Sequence, residues 1–156
     1  MLENCHNAKE RWGGVSDIVD GWLKERQDLI VLYCEITSTE AESSEALVSK
    51  YQNFCQILVD YVSAGHFEVY EQLIQEAKEF DDGGEDLAKK IIPQIELTTE
   101  TALKFNDQFD DVHKVDDGLG SLGDEMSKLG EVLEDRFELE DALIEALHNS
   151  HADQVA

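Results

Sequence analysis

The chain has 156 residues, enough for one hydrophobic core, and its 42% apolar and 31% charged content is that of a folded globular protein rather than a disordered one. Twelve Lys and Arg stand against 36 Asp and Glu, a formal net charge of −24 that is spread along the chain instead of gathered in a tail. Such a surface repels phosphate backbones and anionic membranes, which argues against direct nucleic-acid or membrane binding, and it attracts basic proteins.

The longest purely apolar run, Leu29 to Cys34, is far too short to cross a bilayer. The N-terminus does not combine a basic start, an apolar stretch and a small-residue cleavage site, so the expected compartment is the cytoplasm. Cys5, Cys34 and Cys55 are odd in number and lack C-x-x-C spacing, which predicts neither a disulfide framework nor a thiolate zinc site. Cys34 and Cys55 lie beside apolar stripes, where cysteine behaves as a small hydrophobe.

A single proline, Pro93, and glycines gathered in a few places leave long stretches with helical periodicity, which predicts an all-α chain. Val15, Val19, Trp22, Arg26, Leu29, Tyr33 and Ile36 alternate in steps of four and three along a first long helix. Gly13 and Gly14 predict a break before it, and Thr37 to Ser44 a polar loop after it. A second helix, about Ser44 to Ala64, turns Leu47, Tyr51, Phe54, Cys55, Leu58 and Val62 inward and Asn53, Gln56 and Asp60 outward. Gly65 predicts a left-handed stop and a tight turn. His66 or Phe67 then opens a third helix, with Phe67, Tyr70, Leu73, Ile74 and Ala77 in its pattern, until Asp81-Asp82-Gly83-Gly84 interrupts it.

The fourth stripe is Ile91, Ile95, Thr98, Ala102, Phe105, Phe109 and Val112, with Pro93 either opening the helix or kinking it. Asp110 to Asp117 reads as an acidic loop and Gly118 to Gly123 as a flexible turn before a last helix, about Ser121 to His148. Its stripe is Leu122, Met126, Leu129, Leu133, Phe137, Glu140, Ile144 and Leu147. Long stripes and short polar connections favour antiparallel packing, so residues 1–156 are expected to form a single-domain antiparallel helical bundle. Arg26 and Glu140 interrupt the stripes; they either pair inside the bundle or send their stems to its rim.

Motifs that resemble chemistry lack its context. Gly118-Leu-Gly-Ser-Leu-Gly123 spells G-x-G-x-x-G, yet no strand precedes it and the flanking carboxylates would repel a pyrophosphate. Glu145-x-x-His148 and Glu3-x-x-His6 have the helical spacing of di-metal ligands, but both lie near the chain ends, and no D-x-D-x-D-G calcium loop occurs. No nucleophile elbow is found, and Cys34, Cys55 and His66 fall on different helical faces. Asp60, Tyr61, Ser63 and His66 cluster around one helix end, as a polar site or as a hydrogen-bonded cap.

The segment Phe54-Cys-Gln-Ile-Leu-Val-Asp-Tyr-Val-Ser-Ala-Gly-His-Phe67, followed by Tyr70-Glu71, is similar to the signature of the Rsd/AlgQ family of bacterial anti-sigma factors. Val19-Asp-Gly-Trp-Leu-Lys-Glu-Arg26 resembles the family's first long helix, and Leu133-Glu-Asp-Arg-Phe-Glu-Leu-Glu-Asp141 resembles its last. Met1-Leu-Glu-Asn-Cys5 and Glu10-Arg-Trp-Gly-Gly14 resemble the AlgQ branch most closely. The loop Val115 to Gly123 is richer in glycine and aspartate than the family pattern.

The resemblance implies a helical bundle, without catalytic residues, metal or cofactor, that binds region four of the housekeeping sigma factor of RNA polymerase. Region four is a basic helix-turn-helix module that reads the upstream promoter element and docks on the core enzyme. Covering it would block both contacts and favour alternative sigma factors as growth slows. A monomer, one-to-one with sigma, is expected. Asp60 corresponds to a family position that meets an arginine of region four. Tyr61, Ser63, Gly65, His66 and Phe67 would form or position that contact, and Asp20, Trp22 and Arg26 fall in the matched first helix. Two rival expectations are a metal-dependent, ferritin-like enzyme using Glu145 and His148, and an acidic adaptor for another basic protein.

Overall fold

The computed structural model describes residues 8–38, 44–109 and 112–152, and no strand occurs among them. The steps of three and four become α1 (Ala8–Ser38), α2 (Ser44–Ala64), α3 (Tyr70–Phe80), α4 (Gly84–Phe109) and α5 (Val112–Leu147). A π-helical turn, Gly65–Val69, joins α2 to α3, and a 3-10 turn, Asn149–His151, follows α5. Cys5, the Glu3 and His6 pair, and positions 39–43 of the polar loop lie outside the described residues.

Side-chain pairings fix the packing sense. Trp12 stacks on His148 while Tyr33 Oη donates to the Met126 carbonyl, so α1 and α5 run antiparallel. Trp22 stacks on Tyr61 while Tyr33 meets Phe54, which sets α1 antiparallel to α2. Gly84 lies against Leu147 whereas Thr98 faces Arg136, giving the same sense for α4 and α5. The bundle is therefore antiparallel, as the stripes predict.

The core has three aromatic layers. Tyr33, Phe54, Phe105 and Phe109 fill one end; Trp22, Tyr61 and Tyr70 the middle; Trp12, His148, Phe80 and His151 the other end. Leu29, Leu58, Leu73, Ile95 and Leu129 are fully buried between them, each contributing about 1.5–3 kcal/mol. Cys55 is buried with them, but Cys34 is exposed on the outer side of α1.

Several expected breaks are absent. Gly13 and Gly14 lie inside α1, which starts at Ala8. Each glycine costs the helix about 1 kcal/mol, but the first turns are held by packing: Trp12 stacks on His148, and Arg11 pairs with Glu79 of α3. Thr37 and Ser38 also belong to α1, their hydroxyls donating to carbonyls of the preceding turn. The expected acidic loop and flexible turn are helical from Val112 onward, so Gly118-x-Gly-x-x-Gly123 sits within α5. Pro93 does not open α4, which begins nine residues earlier at Gly84 and continues past it to Phe109. The interruption at Asp81 to Gly84 is present, with Asp81 at φ 47° and Gly83 at φ 91°.

Gly65 is the most informative departure, because it adopts no left-handed conformation and no tight turn follows. The π turn carries one residue more than an α turn and shifts the register. Phe67 is thereby swung out to 82% exposure, while Val69 and Tyr70 turn inward. Glycine is required here for closeness: a Cβ would stand 2.9 Å from Tyr70 Oη and 3.2 Å from Trp22 Cζ2. Gly65→Ala should therefore destabilise the protein by about 1–3 kcal/mol through overpacking, read as a lower urea midpoint at unchanged slope.

Candidate functional site

The middle of the bundle holds a buried polar network. Arg136, fully buried on α5, donates from Nε to Glu140 at 3.1 Å, from Nη2 to Tyr70 Oη at 2.9 Å, and from Nη1 to Thr98 and Thr99 at 3.2 and 2.6 Å. Glu140, equally buried, also accepts from Tyr61 and Tyr70, each at 2.5 Å. A buried ion pair is tolerable only when its remaining donors and acceptors are met, as they are here. Burial pushes the Glu140 carboxyl up, opposed by Arg136 and by the two phenols. Burial, then the Glu140 charge, pushes both phenols far above the ordinary tyrosine range, so they stay protonated donors.

Arg26 lies at the edge of this network. Its Nη1 is 3.9 Å from Glu140 Oε1, its Nη2 donates to Asp141 at 2.7 Å, and its guanidinium stands 5.1 Å over the Phe137 ring. Arg26 and Glu140 thus face each other across α1 and α5, but Arg136, one turn before Glu140, is the carboxylate's nearer cation. His66 turns toward α4, its Nε2 2.7 Å from Thr99 Oγ1. Burial, then the Arg136 charge, lowers its pKa and so favours the neutral ring at this contact.

The surface beside the network is an acidic cleft between α1 and α2. One hollow of about 150 Å³ is lined by Glu25, Asp28, Ile57 and Asp60. A second, of about 210 Å³, continues past Glu25 to Asp17, Ile18, Trp22 and Glu68. Asp60 is exposed and held by Gln56 Nε2 at 3.0 Å, one helical turn away. Partial burial, then the charges of Asp60, Glu68 and Asp28, raise the Glu25 pKa. The cleft is thus a site of unrelieved like charge over an apolar floor, fit for a guanidinium or ammonium group.

Of the residues singled out in the sequence, only Asp60 lies in this cleft as an exposed charge, with Trp22 contributing a sliver of its floor. Tyr61, Trp22 and Gly65 are buried and interlocked: Trp22 stacks on Tyr61 at 4.8 Å and donates from Nε1 to the Tyr61 carbonyl at 3.2 Å. Ser63 is half-buried, and Asp20 is exposed on the outer face of α1 without lining either hollow. Phe67 stands free on the π turn. The proposed di-metal step does not converge, since Glu145 is exposed and accepts from Asn149 whereas His148 is buried against Glu76 at 2.7 Å.

The whole chain is similar to proteins of known family. Residues 1–148 match the family of the regulator of RNA polymerase sigma(70) subunit, Rsd/AlgQ. The chain belongs to the Rsd/AlgQ family. Its similar relatives include the "Regulator of sigma D" of Enterobacter sp. (strain 638), 38% identical over 164 aligned positions that cover 100% of this chain and 98% of the relative. The proteins of the same name in Yersinia pseudotuberculosis (serotype O:1b) and Yersinia enterocolitica are 34% and 32% identical, each alignment covering 93% of this chain and 88% and 89% of the relatives. This Rsd/AlgQ member is thus placed among sigma-factor regulators, and no described helix is long and apolar enough to cross a membrane.

The stripe drawn through Phe137 passed over Arg136, although steps of four and three from Leu129 through Leu133 reach Arg136 and then Glu140, and Arg136 is the more buried of the two neighbours. Its detectable signal was the Arg136-x-x-x-Glu140 spacing, which places the charges one turn apart. Glu140→Ala should destabilise the Rsd/AlgQ bundle by about 3–5 kcal/mol, because Arg136 is left buried and unpaired. The double variant Arg136→Met/Glu140→Leu should recover part of that loss in urea denaturation, since it removes the unpaired charge but leaves the Tyr61 and Tyr70 phenols without their acceptor.

Proposed function

We propose that this chain is an anti-sigma factor that binds region four of the housekeeping sigma factor, one-to-one and as a monomer, in the cytoplasm. The observation that carries the reading is the Asp60 cleft, where Glu25, Asp28 and Asp60 converge on one hollow beside α1. An arginine entering there relieves repulsion already present in the free protein and donates a charge-assisted hydrogen bond to Asp60. Asp60 is fixed by Gln56, so little side-chain freedom is lost on binding.

The rest of the site divides between contact and support. Phe67, exposed on the π turn, supplies an apolar anchor. Trp22, Tyr61 and Gly65 hold α1 against α2 and so set the width of the cleft. His66 ties the π turn to α4 through Thr99 and Arg26 ties α1 to α5, with Ser63 half-buried on α2 nearby, and Asp20 adds to the long-range field of a chain with net charge −24. That field speeds encounter with a basic module, while the buried centre of the interface sets its lifetime. Covering region four removes its DNA-reading surface and its grip on core polymerase together, leaving core enzyme to other sigma factors. No step of this activity calls for catalysis, metal or cofactor.

The test is a calorimetric titration against isolated region four of the cognate housekeeping sigma factor at low and high salt. One-to-one binding that weakens as salt rises is expected. Asp60→Arg should reduce affinity by about 100-fold or more with an unchanged urea midpoint, since the side chain is exposed; unchanged affinity removes Asp60 from the interface. Phe67→Ala should weaken binding by about tenfold, mainly through faster dissociation.

A further inference from the structure

The end of the bundle away from Phe105 holds a second buried polar group, for which the proposed binding has no use. Glu76 of α3 is fully buried, and its Oε2 is 2.7 Å from His148 Nδ1. His151, also fully buried, is 2.7 Å from Asp82 Oδ2 through Nε2, and its ring stacks on Phe80 at 3.8 Å. The remaining atoms of the two groups, Glu76 Oε1 and His151 Nδ1, are both buried without a hydrogen-bond partner, yet stand 3.5 Å apart.

Two orphaned buried polar atoms facing each other are costly unless something joins them. Two donors fall short of the four ligands of a structural transition-metal site, and no group of three metal-binding side chains occurs among the described residues. A proton joins them at once. The imidazolium donates from both nitrogens, one to Asp82 and one to Glu76, whereas the neutral ring must leave one carboxylate unserved.

We propose that the C-terminal turn is a proton-operated latch: a proton on His151 Nδ1 closes the gap to Glu76 and holds residues 149–152 on α3, and its release to solvent lets them go. The other charged groups at this end leave that role to His151. Arg11 of α1 is paired with Glu79 of α3, Lys78 of α3 lies 4.0 Å from Glu85 of α4, and Glu145 of α5 accepts from Asn149. His148 is sandwiched between Glu76 and Trp12, whose indole Nε1 donates to the His148 carbonyl at 3.0 Å. The turn's backbone adds only the His151 N–H to the His148 carbonyl and the Ala152 N–H to the Asn149 carbonyl, so the side chains carry the attachment.

The latch needs carboxylates at Glu76 and Asp82 and an imidazolium at His151. The hydrogen bond from His151 is the largest influence holding the Asp82 carboxyl below its ordinary range, so Asp82 keeps its charge into more acidic solution than a free carboxylate. The stabilisation is present while His151 holds its second proton and is lost when rising pH removes that proton.

The full-length protein, labelled with ¹³C at alanine methyl and histidine Cε1 positions, tests this by NMR at pH 6 and pH 8.5. The Ala152 methyl group should be ordered at pH 6 and lose that order at pH 8.5, in step with the His151 Cε1 titration. His151→Gln should show one degree of order at both pH values. Asp82→Asn, at an exposed position that does not threaten the fold, should shift release to lower pH. Equal order of the wild-type Ala152 methyl at both pH values overturns the proposal, as does a pH dependence that survives in His151→Gln.

Discussion

The Arg136–Glu140 pair at the centre of the bundle constrains everything around it. Two charges with no solvent contact must be met on every side, and the partners come from three other helical segments: Tyr61 from α2, Tyr70 from α3, and Thr98 and Thr99 from α4. Apolar stripes alone tolerate sliding and rotation of one helix on another. A bifurcated guanidinium whose bonds span 2.6–3.2 Å does not. Register across α2, α3, α4 and α5 is therefore set by hydrogen bonds, while the energy of burial comes from the aromatic and aliphatic layers on either side.

The outward-facing site inherits that register. Tyr61 is both a ligand of Glu140 and the platform on which Trp22 stacks, so the network fixes the approach of α1 to α2. The approach is close enough that position 65 admits no Cβ. The π turn places Tyr70 back into the network and throws Phe67 out. Asp60, one residue before Tyr61, lines one hollow with Glu25 and Asp28.

Much of this was legible in the sequence because apolar spacing is a direct image of burial. Val15, Val19, Trp22, Leu29 and Ile36 are buried on one face of α1, and Leu122, Met126, Leu129 and Leu133 on one face of α5. The same spacing flagged Arg26 and Glu140 as misplaced charges. It did not single out Arg136, three residues after Leu133 and four before Glu140, because the adjacent Phe137 offers an apolar residue for the same turn. Glycine was the other source of error. Gly65 follows an amphipathic run, the signature of a left-handed cap, but the same absence of a side chain serves an unusually close contact. The choice between those uses depends on Trp22 and Tyr70, which are 43 residues before and five after it in the chain, and no local pattern carries that information. Gly13 and Gly14 were likewise overruled by distant partners, Glu79 and His148.

The character of the acidic surface depends on where the arginines sit. Of the few basic side chains, Arg136 is spent wholly inside the bundle, Arg26 on Glu140 and Asp141, and Arg11 on Glu79. All three are arginines, the residue able to meet several acceptors at once with a rigid planar fork. The carboxylates around Asp60 are left without an arginine partner, and burial together with the charges of Asp60, Glu68 and Asp28 raises the Glu25 pKa. A protein that commits its arginines to its own architecture and leaves a fixed cluster of acids on its surface has built, in the same step, a stable frame and a demand for cations from outside.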